Sequence, residues 1–267
     1  MTRSPQSPRS RTRTIAIGRV ILFASILGAW AAGTASGFIS PYVLPGPVAV
    51  FQALGASAIS PELWIALGNT LGSWILGLAI AFVGGNILGL AIGSSRLAVV
   101  LTRSTIDLLR CVPAVTLVPL ALLLYGTSIN MKLMLIVYGA IWEVIVQAIY
   151  ASKQIDKVAD ATMRVYGVRG ALRVRALLLP SAAPFIVTGF RVAAVVAFLL
   201  CLGSEVIGGA PGLGSELEAA HADGYFAGMW AYIIVAATFG VVLNIVLGSF
   251  DRRILRGHPG YRAEVPA

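Results

Sequence analysis

Two ionisable side chains stand inside long apolar stretches of this sequence: Glu143, in IWEVIV, and Arg191, in TGFRVA. A charge so placed is costly, and it persists where it meets a partner, a cavity or a path for a polar solute. Glu143 is too deep to reach water by extending its side chain, so it must face protein, a cavity or a partner subunit. Arg191 is close enough to the end of its stretch to snorkel. Glu205, in GSEVIGG, lies toward the other end of that stretch and suits a cap or a local hydrogen bond. Bond-making chemistry finds no support. Cys111, Cys201, His221 and His258 have neither metal-ligand nor redox spacing, and no nucleophile is placed with a base at one depth. There is no phosphate-binding GxxxxGK[ST] loop. The expectation is a non-enzyme with no metal and no cofactor of its own, powered by another subunit or by an ion gradient.

Such residues need membrane spans to hold them. The chain is 58% hydrophobic and 12% charged, about half the charged fraction of a soluble domain. A span takes about 20 mostly apolar residues, and six segments qualify: 15–35, 67–92, 106–125, 131–150, 184–207 and 229–250. The expected class is all-α, a polytopic membrane bundle of about six helices. A basic tail, 1–14, precedes the membrane domain, 15–250, and a second tail, 251–267, follows it. The first span exceeds a signal-peptide apolar core of about 7–15 residues and reads as a retained anchor.

The net charge of +9 is distributed by topology. Arg3, Arg9, Arg11 and Arg13 precede the first span, and Arg96 and Arg103 lie between the second and third. Lys153, Lys157, Arg164, Arg169, Arg173 and Arg175 separate the fourth and fifth, and Arg252, Arg253, Arg256 and Arg262 follow the sixth. The intervening loops, 36–66, 126–130 and 208–228, hold no Lys or Arg, with Lys132 at the edge of the second. This is the positive-inside pattern with both termini cytoplasmic. It argues against nucleic acid as a partner.

The second span repeats a small residue at every fourth position: Ser73, Gly77, Ala81, Gly85, Gly89 and Gly93. One helix face is thereby kept small enough for another backbone to approach closely. Pro113 and Pro119 remove donors from the third span. The carbonyls they free need neighbours or water, so that span should be buried or line a cavity. Pro113, Pro119, Glu143 and Arg191 are therefore the candidates for a translocation path.

Between the fourth and fifth spans runs GVRGALRVRALLLP, 167–180, basic and bracketed by Gly167 and Pro180. It resembles the EAA loop of bacterial ABC importer permeases (EAA, three residues, Gly, nine residues, Ile, one residue, Leu-Pro), with Gly167, Leu177, Leu179 and Pro180 on the matching positions. VLPGP at 43–47, CVPAVTLVPLALLLYG at 111–126, TGFRVA at 188–193, SEVIGGAPGLGSELEAA at 204–220 and DRRILR at 251–256 extend the likeness. It is closest to the nitrate/sulfonate/taurine branch. Two departures stand out. Ala161, Thr162 and Met163 occupy the EAA positions, with Asp160 one residue early, so the acidic contact either shifts to Asp160 or is lost. Glu143 stands where the branch has a helix-bending proline.

The resemblance implies a type I importer permease whose loop 153–183 couples to ATPase subunits through a short helix broken by Gly167 at one end and stopped by Pro180 at the other. It also implies an external substrate-binding protein, a second copy of the chain, surrounding lipid, and ATP with magnesium on the partner subunit. Nitrate, bicarbonate, sulfonate and pyrimidine-type solutes all remain open. A gradient-driven carrier centred on Glu143 is the rival reading.

Overall fold

Proline opens the helices at Pro47 and Pro61, where the first-turn N–H it lacks would have had no partner. The computed structural model describes residues 8–154, 157–168 and 170–254. Arg3, Arg169, Arg256, His258 and Arg262, with most of the last tail, lie outside the described residues. Every regular element among the described residues is helical. They are α1 (Pro8–Ala35), α2 (Pro47–Ile59), α3 (Pro61–Gly93), α4 (Arg96–Cys111), a 3-10 turn (Ala114–Leu117), α5 (Val118–Tyr125) and α6 (Ile129–Lys153). α7 (Lys157–Val165), α8 (Gly170–Arg173), a π turn (Val174–Leu178), α9 (Leu179–Gly208), α10 (Leu213–Ala222) and α11 (Phe226–Ile254) follow.

Five helices, α1, α3, α6, α9 and α11, are long and apolar enough to cross a membrane. The expected third span is different: α4 and the segment from Ala114 to Tyr125 meet at 74°, a broken span. Pro113 explains the break. Its ring and missing N–H deny the carbonyl four residues back its helical donor, and Leu109 O instead accepts the Val112 N–H at 3.3 Å and the Tyr138 hydroxyl at 3.0 Å. Pro119 sits in the first turn of α5, where no donor is required. The segments between spans at the acidic end, where Glu62, Glu216, Glu218 and Asp223 lie, carry α2 and α10.

The core is made by α3, α6 and α9, with α11 laid against it. Leu78 and Ala81 of α3, Ile136, Ala140 and Val144 of α6, Ala193, Ala197 and Phe198 of α9, and Leu243 and Leu247 of α11 form one buried cluster. Gly77, Gly85, Gly89 and Gly93 face α6, opposite Ile136, Val144, Ala148 and Ser152. α1 stands apart, with no part of its apolar stretch buried and Trp30 Nε1 donating to Pro45 O at 3.0 Å.

The α3–α6 contact sets a first test. A methyl on Gly89 would lie 2.6 Å from Ile145 O and 2.5 Å from Ala148 Cβ, whereas one on Gly84 would approach nothing nearer than Ile141 at 3.8 Å. Gly89→Leu is expected to destabilise the fold by about 1–3 kcal/mol through overpacking. Gly84→Leu should leave thermal stability in detergent near that of the parent.

Candidate functional site

At mid-length on α6 the structure brings Glu143 to Arg110, near the end of α4. Arg110 Nη2 donates to Glu143 Oε1 at 3.0 Å and to Oε2 at 3.3 Å. The break after Cys111 lets α4 end at this depth, so its last turn delivers a guanidinium beside the α6 carboxylate. The pair is not enclosed: the side chains are 35% and 27% exposed. On one side lies an apolar groove of about 770 Å³ between α3, α4 and α6, whose walls include Ile106, Leu109, Tyr138 and Trp142. On the other, a polar cleft of about 230 Å³ is lined by Arg103, Asp107, Arg110 and Lys153. The buried Trp142 indole N–H has no acceptor among the described residues. The arrangement can receive a small polar or anionic group through Arg110, with Glu143 as its resting counter-ion.

Of the other path candidates, Pro113 and Pro119 are exposed and shape the bend, lining neither groove nor cleft. Arg191 is not brought to Glu143. Its guanidinium meets Asn244 Oδ1 at 2.9 Å and Asp251 Oδ2 at 3.2 Å, both on α11.

A second charged centre joins two residues whose pairing the sequence does not announce, Glu205 having suited a local hydrogen bond and Lys132 a loop edge. Lys132 and Glu205 are an ion pair at 2.6 Å, with side chains 3% and 0% exposed. Lys132 Nζ also donates to Pro211 O at 2.9 Å and Asn69 O at 3.3 Å, which uses all three of its protons. Glu205 Oε2 accepts from the Gly214 N–H at 3.0 Å. The Thr70 hydroxyl lies 2.9 Å from both carboxylate oxygens and accepts from the Leu213 N–H at 2.9 Å. The Glu205 carboxylate fills the space that a side chain at Gly212 would need, and Glu205 Cβ comes within 2.6 Å of a methyl built on Gly214. The Gly-Leu-Gly sequence is thus the wrapping of a buried carboxylate. A signal was available: two lone ions at one depth in neighbouring spans pair in a bilayer.

At the basic end, α7 stops at a Schellman turn. Val168 N–H bonds Met163 O at 2.9 Å and Gly167 N–H bonds Arg164 O at 3.1 Å, with Gly167 at φ +70°. That pattern needs a left-handed residue, and glycine supplies it without cost. Pro180 does not stop a helix, contrary to expectation: it is the second residue of α9, directly after the π turn. A widened turn takes the preceding carbonyls out of the register that proline would clash with. Leu177 is buried in that turn, while Ala161, Thr162, Leu179 and Pro180 are exposed and Met163 is half-buried. Asp160 is held by two arginines: Oδ1 accepts from Arg173 at 2.6 and 2.8 Å, and Oδ2 from Arg164 at 2.7 and 3.1 Å.

The Arg173 hydrogen bonds, and then Arg164, lower the Asp160 carboxyl below its ordinary value of 3.8, against partial desolvation. A carboxyl lowered on folding contributes stability above its unfolded value and loses it as pH falls through the folded one. The α7–α8 clasp is therefore expected to hold across neutral pH and to open only below about pH 3.8. Hydrogen exchange of α7 amides against pH checks this, and early opening near pH 6 would contradict it.

Residues 85–256 match the family described as binding-protein-dependent transport system inner membrane component, and the chain belongs to that family. It is similar to the putative aliphatic sulfonates transport permease protein SsuC of Escherichia coli, with 29% identity over 238 residues, 88% of this chain and 90% of that one. The taurine transport system permease protein TauC of the same organism is 28% identical over 256 residues, 94% and 92% of the two chains. The nitrate import permease protein NrtB of Leptolyngbya laminosa is 26% identical over 67% of this chain and 64% of that one. The inward-facing MetNI methionine ABC transporter shares the fold, with TM-score 0.60 and 19% identity over 73% of this chain and 98% of its own. The chain is a multi-pass membrane permease of the ABC importer type, a transport subunit rather than an enzyme. The carrier reading built on Glu143 finds no support among these relatives.

Proposed function

We propose that two copies of this chain enclose the path for a small solute in the inner membrane, each offering the face made by α4, α5 and α6. The observation that carries this is the partly exposed Arg110–Glu143 pair at mid-span. An ion pair cannot face hydrocarbon cheaply, and the neighbouring Trp142 N–H lacks an acceptor among the described residues; a second copy or an aqueous path answers both. Arg110 suits a solute bearing an oxyanion, and the sulfonate, taurine and nitrate relatives carry such solutes in their names.

Both termini and the 153–183 loop face the cytoplasm, a reading supported by the Lys/Arg asymmetry. ATPase subunits carrying ATP and magnesium grip that loop, and a substrate-binding protein docks on the acidic end. Nucleotide closure shifts the bundle because the loop contacts differ between the two states. Co-purification of the tagged chain with its genomic neighbours tests the assembly: two copies of each subunit are expected, and a transport-competent complex lacking an ATPase would refute it. Gly167→Trp is expected to abolish uptake at normal abundance, because the bulky side chain would stand on the exposed turn that docks.

A further inference from the structure

The loop that carries Asp160 is strongly one-signed. Residues 157–180 hold five basic side chains, Lys157, Arg164, Arg169, Arg173 and Arg175, against Asp160 alone. That carboxylate has no oxygen to spare. Oδ1 is taken by Nε and Nη2 of Arg173, and Oδ2 by Nε and Nη2 of Arg164. Its side chain is only 15% exposed, whereas that of Arg164 is 72% exposed and that of Arg173 33%. Between them lies a recess of about 290 Å³ lined by Arg164, Val168, Gly170 and Arg173. Gly170, with φ +60°, leaves its floor free of any side chain. Arg175 is exposed on the same loop. The recess therefore has two guanidinium walls, one of them largely in water, and Asp160, the acid that holds both among the described residues, is already chelated.

We propose that this loop meets its ATPase subunit as a cationic surface whose recess takes a carboxylate side chain of that subunit, Asp160 being an internal counter-ion that orients Arg164 and Arg173. The proposal rests on the docking role given to the loop above, and adds the sign and chemistry of the contact. Each guanidinium offers a planar fork of donors that two carboxylate oxygens can share. A contact made this way weakens with salt more steeply than an apolar one.

The test uses the full complex, purified in mild detergent from cells expressing the chain with its neighbouring ATPase. Arg164→Lys keeps the charge and supplies an amine. A water-soluble carbodiimide is expected to join that amine to an Asp or Glu of the ATPase, read by mass spectrometry of the linked peptides. Arg164→Glu is expected to lower the ATPase retained per chain at least tenfold, with insertion and abundance unchanged. In the unsubstituted complex, a carbodiimide link between Asp160 and an ATPase lysine would overturn the proposal. So would an intact Arg164→Lys complex giving no link from position 164, and the docking reading would survive both results. If the unsubstituted chain brings no ATPase, the docking reading falls and this proposal with it.

Discussion

Glu205→Ala is expected to cost the protein most of its folded population. The substitution leaves the Lys132 ammonium in a site 3% exposed, strips the Gly214 N–H of its acceptor, and leaves the Thr70 hydroxyl only Ala66 O at 3.1 Å. Removing one member of a buried pair costs about 3–5 kcal/mol, because the survivor stays charged and unpaired. Lys132→Ala should approach the same loss. The double variant Lys132→Met with Glu205→Gln removes both charges and keeps an amide for Thr70 and Gly214. It should recover more than half of the stability lost by either alanine variant. Thermal unfolding in detergent and membrane abundance read the effect. Additive losses in a Lys132/Glu205 double-mutant cycle would show that the two residues do not act as a unit.

The second large effect is on transport. Arg110→Glu places a second carboxylate against Glu143, at the depth where the two copies are proposed to meet. Repulsion there is softened by the partial exposure of the pair. A tenfold or greater loss of binding-protein-stimulated ATP hydrolysis in proteoliposomes is nevertheless expected, about 1.4 kcal/mol. The exchanged variant, Arg110→Glu with Glu143→Arg, should regain at least half of that loss if attraction between the two helices is what matters. No recovery would mean that the guanidinium must stand on α4 for the solute, and an unchanged rate in the single variant would remove the pair from the path altogether.

How far sequence reaches is plain from these two centres. Glu143 stood out because a mid-span carboxylate is conspicuous by itself; its partner Arg110 lay in a segment whose apolar core was interrupted by Pro113, and hydropathy cannot show that the chain turns there by 74°. Lys132 was passed over because it borders a short loop, where a lysine is unremarkable. Only the packing of α6 against α3 and α9 takes its head into protein. The period of small residues in α3 maps directly onto a helix face, so the side that α6 occupies needed no tertiary knowledge. Pro180 misled for a local reason: a proline ends a regular helix, but a π turn ahead of it changes the hydrogen-bond register. The helix α2 is apolar but, at 13 residues, too short to read as a span, and α10 is short and mixed in composition.

The cross-linked centre of Lys132, Glu205 and Thr70 has a mechanical meaning. Every polar atom on its two charged side chains is engaged, and the bonds join α3, α6 and α9 to the backbone leading into α10. The opposite extremity of α9 instead passes through the π turn to α8, tied to α7 by a clasp at Asp160. One helix therefore has a clamped extremity and a compliant one, like a cantilever. A push on the compliant extremity bends or swings the beam about its clamp, and the displacement grows with distance from it. Distances between spin labels on the two proposed copies should accordingly change least near residue 205 and most near residue 175 through the nucleotide cycle.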